Sequence, residues 1–308
     1  MSVSVHAARM FLVWTMLMSA LVAAGQDLEP RAYSASPVGA NFFGIGFGRS
    51  SGDIAFDPTL PITNANATLY SPAVGIGRTF GVFGKQGLFA ATLPYAWGNV
   101  SGDVGDQRGS IYRSGLTDTK TRISINLRGS PAMTPAEFAR RPHRRLIIGT
   151  SLSMTSPSGQ YDNTKLINLG TNRWSFKPEI GISYPLKKVD LDLYAAAWFF
   201  TENKSFYTGH SRRTQNPLPA LQAHVSYTIR RGLWAAIDAT WYTGGASTVN
   251  NGVPSERQNN SRLGATFSYP FAKGHSFKVS YSSGVTGNVG SKFRTISGGW
   301  QYVWFGRP

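Results

Sequence analysis

Residues 219–242 read PALQAHVSYTIRRGLWAAIDATWY, two runs of alternating polarity that meet at a tight break. Leu221, Ala223, Val225, Tyr227 and Ile229 alternate with Gln222, His224, Ser226, Thr228 and Arg230. Beyond Arg231-Gly232, Leu233, Ala235, Ile237, Ala239 and Trp241 interleave with Trp234, Ala236, Asp238, Thr240 and Tyr242. Side chains on a strand repeat every two residues, so each run carries one apolar face and one mostly polar face. Segments of about ten residues with this pattern mark transmembrane β-strands, where lipid takes the place of a core. Centring the turn on Arg231 pairs Leu221 with Trp241, Ala223 with Ala239, Val225 with Ile237 and Tyr227 with Ala235. The same register sets His224 opposite Asp238 on the polar face.

The pattern recurs along the chain. Strands are predicted at Ala40–Ser50, Thr68–Val82, Gly87–Gly98, Gly115–Leu127, Arg145–Thr155, Arg173–Tyr184, Val189–Thr201, Pro219–Arg230, Gly232–Thr243, Asn259–Pro270, His275–Thr286 and Phe293–Phe305. Their connections alternate in length. Phe83 to Gln86, Pro185 to Lys188, Arg231 and Phe271 to Gly274 are tight, whereas the stretches between are long and polar. Outer-membrane barrels place short turns in the periplasm and long loops outside, with an even strand count. The expected fold is therefore all-β: a closed antiparallel barrel of about 12 strands over residues 40–305. One periplasmic connection, Arg128 to Arg144, is long. There Thr134, Pro135 and Glu137 form a capping-box signature for a short helix. It runs into the basic cluster Arg140–Arg145, which suits a solvated helix end or an anionic surface.

Arg9 followed by the uncharged run Met10–Ala24 reads as a signal peptide over residues 1–24, cleaved after Val22-Ala23-Ala24. Residues 25–39 are expected to be an extended periplasmic lead-in. The chain has no cysteine, which excludes disulfides, thiolate metal sites and cysteine nucleophiles. A net charge of +16 would suggest nucleic acid in a cytosolic protein. An exported chain does not meet nucleic acid, so a basic lumen or contact with anionic lipopolysaccharide is expected instead.

A charge facing lipid near the midplane costs roughly 2–4 kcal/mol, so strand charges should point inward. The apolar pattern agrees with this for nine candidates: Arg122, Lys177, Glu179, Asp190, Asp192, His224, Asp238, Arg262 and Lys278. Arg122, Lys177, Glu179, His224, Asp238 and Arg262 form a candidate polar constriction, or simply a solvated interior whose charges satisfy one another. Arg78 is discordant, since it shares parity with Val74, Ile76 and Phe80, and a bulge at Gly75 or Gly77 would turn it inward. No catalytic, metal-ligating or cofactor-binding set emerges. Ser226 and His224 stand two residues apart on one strand, so their side chains project in parallel and do not converge as a hydrolase pair must.

Several runs resemble an outer-membrane transporter family described by the MetA-pathway of phenol degradation. They are Leu28–Ser34 with Pro37–Gly39, Ser156–Asp162 followed by Lys165–Glu179, Trp198–Phe200, Leu221–Tyr227 and Trp300–Trp304. The resemblance implies an outer-membrane barrel that admits aromatic or other hydrophobic compounds, and it carries over no catalytic residues. Ile296, Trp300, Tyr302 and Trp304 share one face, as in a closing strand read by the barrel-assembly machinery. The expected function is passage of small solutes through the outer membrane. The alternatives are a structural or adhesive barrel with a plugged lumen and, third, a barrel-borne lipid hydrolase.

Overall fold

The computed structural model describes residues 28–55, 62–140, 145–207, 209–286 and 290–306. The expected signal peptide and residues 141–144 of the basic cluster lie outside the described residues. In chain order the elements are β1 (Ala40–Ala55), β2 (Thr63–Val82), β3 (Lys85–Val104), β4 (Gln107–Leu116), β5 (Lys120–Arg128), helix α1 (Pro135–Ala139), β6 (Ile147–Thr155), β7 (Ser175–Leu186), β8 (Val189–Phe200), β9 (Asn203–Phe206), β10 (Ser211–Gln215), β11 (Leu218–Arg230), β12 (Leu233–Gly244), β13 (Ser247–Val249), β14 (Gln258–Ala272), β15 (His275–Thr286), β16 (Gly290–Ser291) and β17 (Arg294–Phe305). Twelve make the wall: β1, β2, β3, β5, β6, β7, β8, β11, β12, β14, β15 and β17. Each pairs antiparallel with the next, and β1 pairs with β17 from Ala40↔Phe305 to Ser51↔Arg294, which closes the barrel.

Alternation decides the two faces. Ile45, Ile76, Leu93, Ile180, Leu193, Val225, Ile237, Leu263 and Ile296 stand exposed on the outside. Ser124, Ser151, Gln222, Thr240, Thr266 and Ser297, from the opposite parity, are buried inside. Aromatic rings gather on the outer face toward the loop end, where Tyr70 and Trp97 stack at 5.7 Å, and toward the turn end, where Tyr302 and Trp304 stack at 5.4 Å. This is the disposition of interfacial girdles. The hairpin of β11 and β12 has the expected register, Leu221↔Trp241 through Tyr227↔Ala235, with His224 opposite Asp238. A shift between Thr228 and Arg230 then tightens it into the Arg231-Gly232 turn. At the β2–β3 turn, Phe83 and Gly84 both adopt left-handed backbone, with φ of 47° and 68°, as a two-residue primed turn requires.

Three expectations are corrected. The predicted strand Gly115–Leu127 is broken into β4 and β5, because Asp118 turns aside to accept bonds from the Gly159 and Thr171 amides at 2.9 Å. Stretches expected as loops keep their pairing: β3 and β4 continue as a hairpin to Val104↔Gln107, and β9, β10 and β13 form a separate three-stranded sheet at the loop end. Backbone hydrogen bonds need no apolar face once the strand has left the lipid, so the alternation stops before the strand does. Arg78 is exposed on the outer face, and β2 pairs with β1 without a shift through Gly75 and Gly77. It lies near the turn end of β2, where a long cationic side chain reaches the interface and the penalty for charge falls to roughly 0–1 kcal/mol.

The capping box of α1 is present: the Thr134 side chain accepts from the Glu137 amide, and the Glu137 carboxylate accepts from the Thr134 amide at 2.7 Å. Those bonds from the Thr134 backbone and hydroxyl hold the Glu137 carboxyl below its ordinary value. Among the described residues, no helix is long and apolar enough to cross a membrane.

Depth along the wall gives a direct test. Ile237, flanked by Val225 and Ala265, is 70% exposed toward lipid. Ile237→Arg should lower stability in bilayers by about 2–4 kcal/mol, and Ile229→Arg, next to the turn, by no more than ~1 kcal/mol. Urea titration of folding into lipid vesicles reads both, and equal losses would contradict the assigned depth.

Candidate functional site

All nine predicted inward residues lie on the inner face, and each is buried. What buries them is the surprise. Residues 28–39, expected as an extended periplasmic lead-in, fold back into the lumen at its turn end. The chain makes a tight turn there, with the Ser34 amide donating to the Arg31 carbonyl at 3.0 Å, and Arg31 takes a left-handed φ of 64°.

Arg31 supplies the cation for the acidic side of the wall. Its Nη2 lies 2.9 Å from Asp190, and its amide donates to Asp192 at 3.1 Å. Nε and Nη2 also donate to Ser226 and Thr228, both at 2.7 Å, and the guanidinium lies 4.7 Å above the Trp234 ring. Two residues on, the Tyr33 ring enters a slot between β6 and β7 that exists because Gly149 and Gly181 face each other there. A Cβ on Gly149 would stand 2.1 Å from that ring, and one on Gly181 would stand 2.3 Å from it. The Tyr33 hydroxyl donates to Glu179 at 2.9 Å, and the ring meets Tyr194 edge-on at 5.2 Å.

Glu179 is the hub of one cluster. Beside Tyr33 it takes Arg122 at 3.1 Å and Lys177 at 3.2 Å, and Arg122 also pairs with Glu29 of the inner segment. The second cluster is the hairpin pair: His224 Nδ1 lies 2.7 Å from Asp238, whose other oxygen accepts from Thr266 at 2.8 Å. Tyr194, 5.2 Å from the His224 ring, stands between the clusters. Arg262, on β14 beside the second cluster, donates to Ser282 and Thr295 at 2.9 Å. Lys278, on β15, is level with Ser268 and Gly299. The six candidate constriction residues thus include two clusters bridged by aromatic rings and the inner segment, with the Arg262 side chain bonded toward β15 and β17.

Residues 34–40 are fastened at the turn end. The Ser36 amide donates to Gln86 at 2.7 Å, the Thr79 hydroxyl to the Pro37 carbonyl at 2.7 Å, and the Val38 amide to the Met133 carbonyl at 2.8 Å. Phe138 of α1 packs against the Tyr33 cluster, so the exceptional periplasmic connection serves as a cover for the inner segment. Glu29, Arg31 and Tyr33 escaped the sequence reading because residues 28–39 carry no strand or helix period, and Thr79 and Gln86 escaped because what they bind lies in that segment. The available signal was indirect: facing glycines where inward polar residues were due, and Asp190 and Asp192 together without a wall arginine.

The chemistry on offer is binding and obstruction. Ser226 is occupied by Arg31, and its projection parallel to His224 leaves no nucleophile–base contact. Among the described residues, no group of three or more His, Asp or Glu side chains is placed to hold a metal ion.

Comparison with known proteins agrees with this architecture. An outer membrane channel from Pseudomonas putida superposes with a TM-score of 0.75 at 19% identity, over 90% of this chain and 100% of that one. The transport unit of the autotransporter AIDA-I from Escherichia coli gives 0.53 at 12% identity, over 98% and 97%. At such identities the likeness is one of fold, that of an outer-membrane β-barrel. No curated protein sequence matches the chain. Residues 62–303 match a family model, and the chain belongs to the family described as "Putative MetA-pathway of phenol degradation".

Proposed function

We propose that the chain is an outer-membrane channel for small solutes, aromatic or hydrophobic compounds among them, whose conductance is limited by its own inner segment. One observation carries the reading: a closed wall with a largely polar inner face, obstructed by twelve residues whose hold on it includes hydrogen bonds and ion pairs beside the packing of the Tyr33 ring. A permanent core would be apolar. Here Arg31, Glu29 and the Tyr33 hydroxyl meet the wall through polar atoms, which water or a solute can replace. The structure named as a channel in Pseudomonas putida has the same fold, and the family name points to aromatic compounds.

The same segment also favours a second reading, a barrel sealed for a structural or adhesive role. Conductance separates the two. In planar bilayers the protein should open small, intermittent channels, and it should admit small solutes into liposomes. Absence of both would leave the sealed barrel.

The slot for Tyr33 offers a sharper variant. Gly181→Val fills it and should displace the ring, raising mean conductance several-fold. Ala35→Cys, 4% exposed in the seated segment, should then react with a water-soluble maleimide tens of times faster. Unchanged labelling and conductance would show that the segment does not depend on the slot.

The two polar clusters should set selectivity. His224→Ala combined with Asp238→Ala is expected to alter the cation-to-anion permeability ratio by more than twofold, measured as reversal potential under a salt gradient. If conductance and solute uptake both stay at the wild-type level, these residues do not form the constriction.

A further inference from the structure

At the loop end of the lumen two arginines lie side by side. Arg173 precedes β7, and Arg213 stands on β10. Gln215, two residues along β10 on the same face as Arg213, accepts a hydrogen bond from Arg173 Nη2 and so ties the two together. Each guanidinium is laid on a ring: Arg173 lies 4.4 Å above Phe200, and Arg213 lies 5.3 Å above Phe206. Stacking of this kind fixes the plane of a guanidinium, and Arg213 Nη2 also donates to the Ser247 hydroxyl at 3.4 Å.

Arg173 forms no ion pair with a carboxylate among the described residues. Asp118, whose charge acts on it, already accepts from Gly159 and Thr171. Burial, then the charge of Arg213, pull the Arg173 pKa down to about 9. Its Nη1 is buried and makes no hydrogen bond. A buried donor without an acceptor is destabilising, and a like charge held beside it adds to the cost. An anion would relieve both.

The surroundings say which anion. Phe200 is an inward residue of β8 and packs with Trp198 against the cluster of Leu218, Ala220 and Tyr242. One step deeper, Lys177 Nζ lies 5.0 Å above the Trp198 ring. Below that, Arg122 lies 5.4 Å above Tyr33. Cation and ring therefore alternate from the mouth down to the inner segment. Lys177 and Arg122 are already paired with Glu179, so a ligand that carries a carboxylate on a flat apolar body finds its cation at the mouth and rings beside it.

We infer that Arg173 and Arg213 form an anion-binding site at the loop-end mouth, whose ligand is an aromatic carboxylate seated with its ring beside Phe200 and Trp198. The site deepens the channel reading and rests on it for the consequence in uptake, whereas binding itself is measured without a membrane gradient. Full-length protein in detergent micelles is titrated by calorimetry at neutral pH with benzoate, benzyl alcohol, acetate and inorganic phosphate. Benzoate should bind, with each of the other three weaker by about tenfold or more. Arg173→Gln and Arg213→Gln should each weaken benzoate by about 10–100-fold. Arg173→Lys should recover only part of the loss, because it restores charge without the planar fork. Arg212→Gln, at the exposed Glu202 pair, should bind as wild type does. Heat-modifiable migration in gels confirms that each variant is folded.

Equal binding of phosphate or acetate would overturn the aromatic part, equal binding of benzyl alcohol the anionic part, and retention of wild-type affinity in folded Arg173→Gln the site itself. Benzoate binding without any conductance or uptake would sink the channel reading and leave the mouth site standing. Uptake without arginine-dependent binding would do the reverse.

Discussion

Hydrocarbon offers the backbone no hydrogen-bond partner, and everything else in this molecule follows from that constraint. A sheet meets it only by closing on itself, which here means β1 paired with β17. Closure with a two-residue side-chain period leaves the sequence one choice at each position, lipid or lumen. Charges take the lumen, because on the outer wall they would be stranded. A lumen of twelve strands is narrow, so those charges stand close enough to need definite partners.

Those partners are unevenly supplied. On β7 and β8 the wall offers Glu179, Asp190 and Asp192, with Arg122 and Lys177 able to serve only the first. The remaining acids are met by Arg31, which arrives from outside the wall. Its neighbour Tyr33 turns the same visit into shape recognition, since the ring needs two facing glycines that no soluble strand pair would gain from keeping. Ion pair and slot are separate forces, one set by charge and the other by the absence of a Cβ. Together they place the segment in one pose, held by polar bonds at Arg31 and by ring packing at Tyr33.

The wall was readable because lipid enforces its pattern residue by residue. Leu221 through Tyr242 contained the register of its hairpin, down to His224 facing Asp238, since the Arg231-Gly232 turn leaves no room for slippage. Inward parity of charged residues was readable for the same reason. Where lipid ends, so does the signal: β4, β9, β10 and β13 pair through backbone atoms with side chains of any kind. Arg78 misled because parity alone says nothing about depth. The inner segment was hidden for another reason. Leu28 to Gly39 is held by partners more than a hundred residues away, among them Ser151, Glu179, Asp190 and Ser226, and no local period records such contacts.

The segment precedes β1, the first of the two strands that meet at the seam of the barrel. It hangs from that seam through Ala40, and the acids it neutralises lie on the opposite side of the wall. Chain order thus ties the filling of the lumen to its enclosure. Ala40 pairs with Phe305 at the seam, while Ser36 and Val38 just before it are tied to Gln86 and Met133. The electrical balance of the acids on β8 is therefore completed by a part of the chain that leads directly into a strand of the seam.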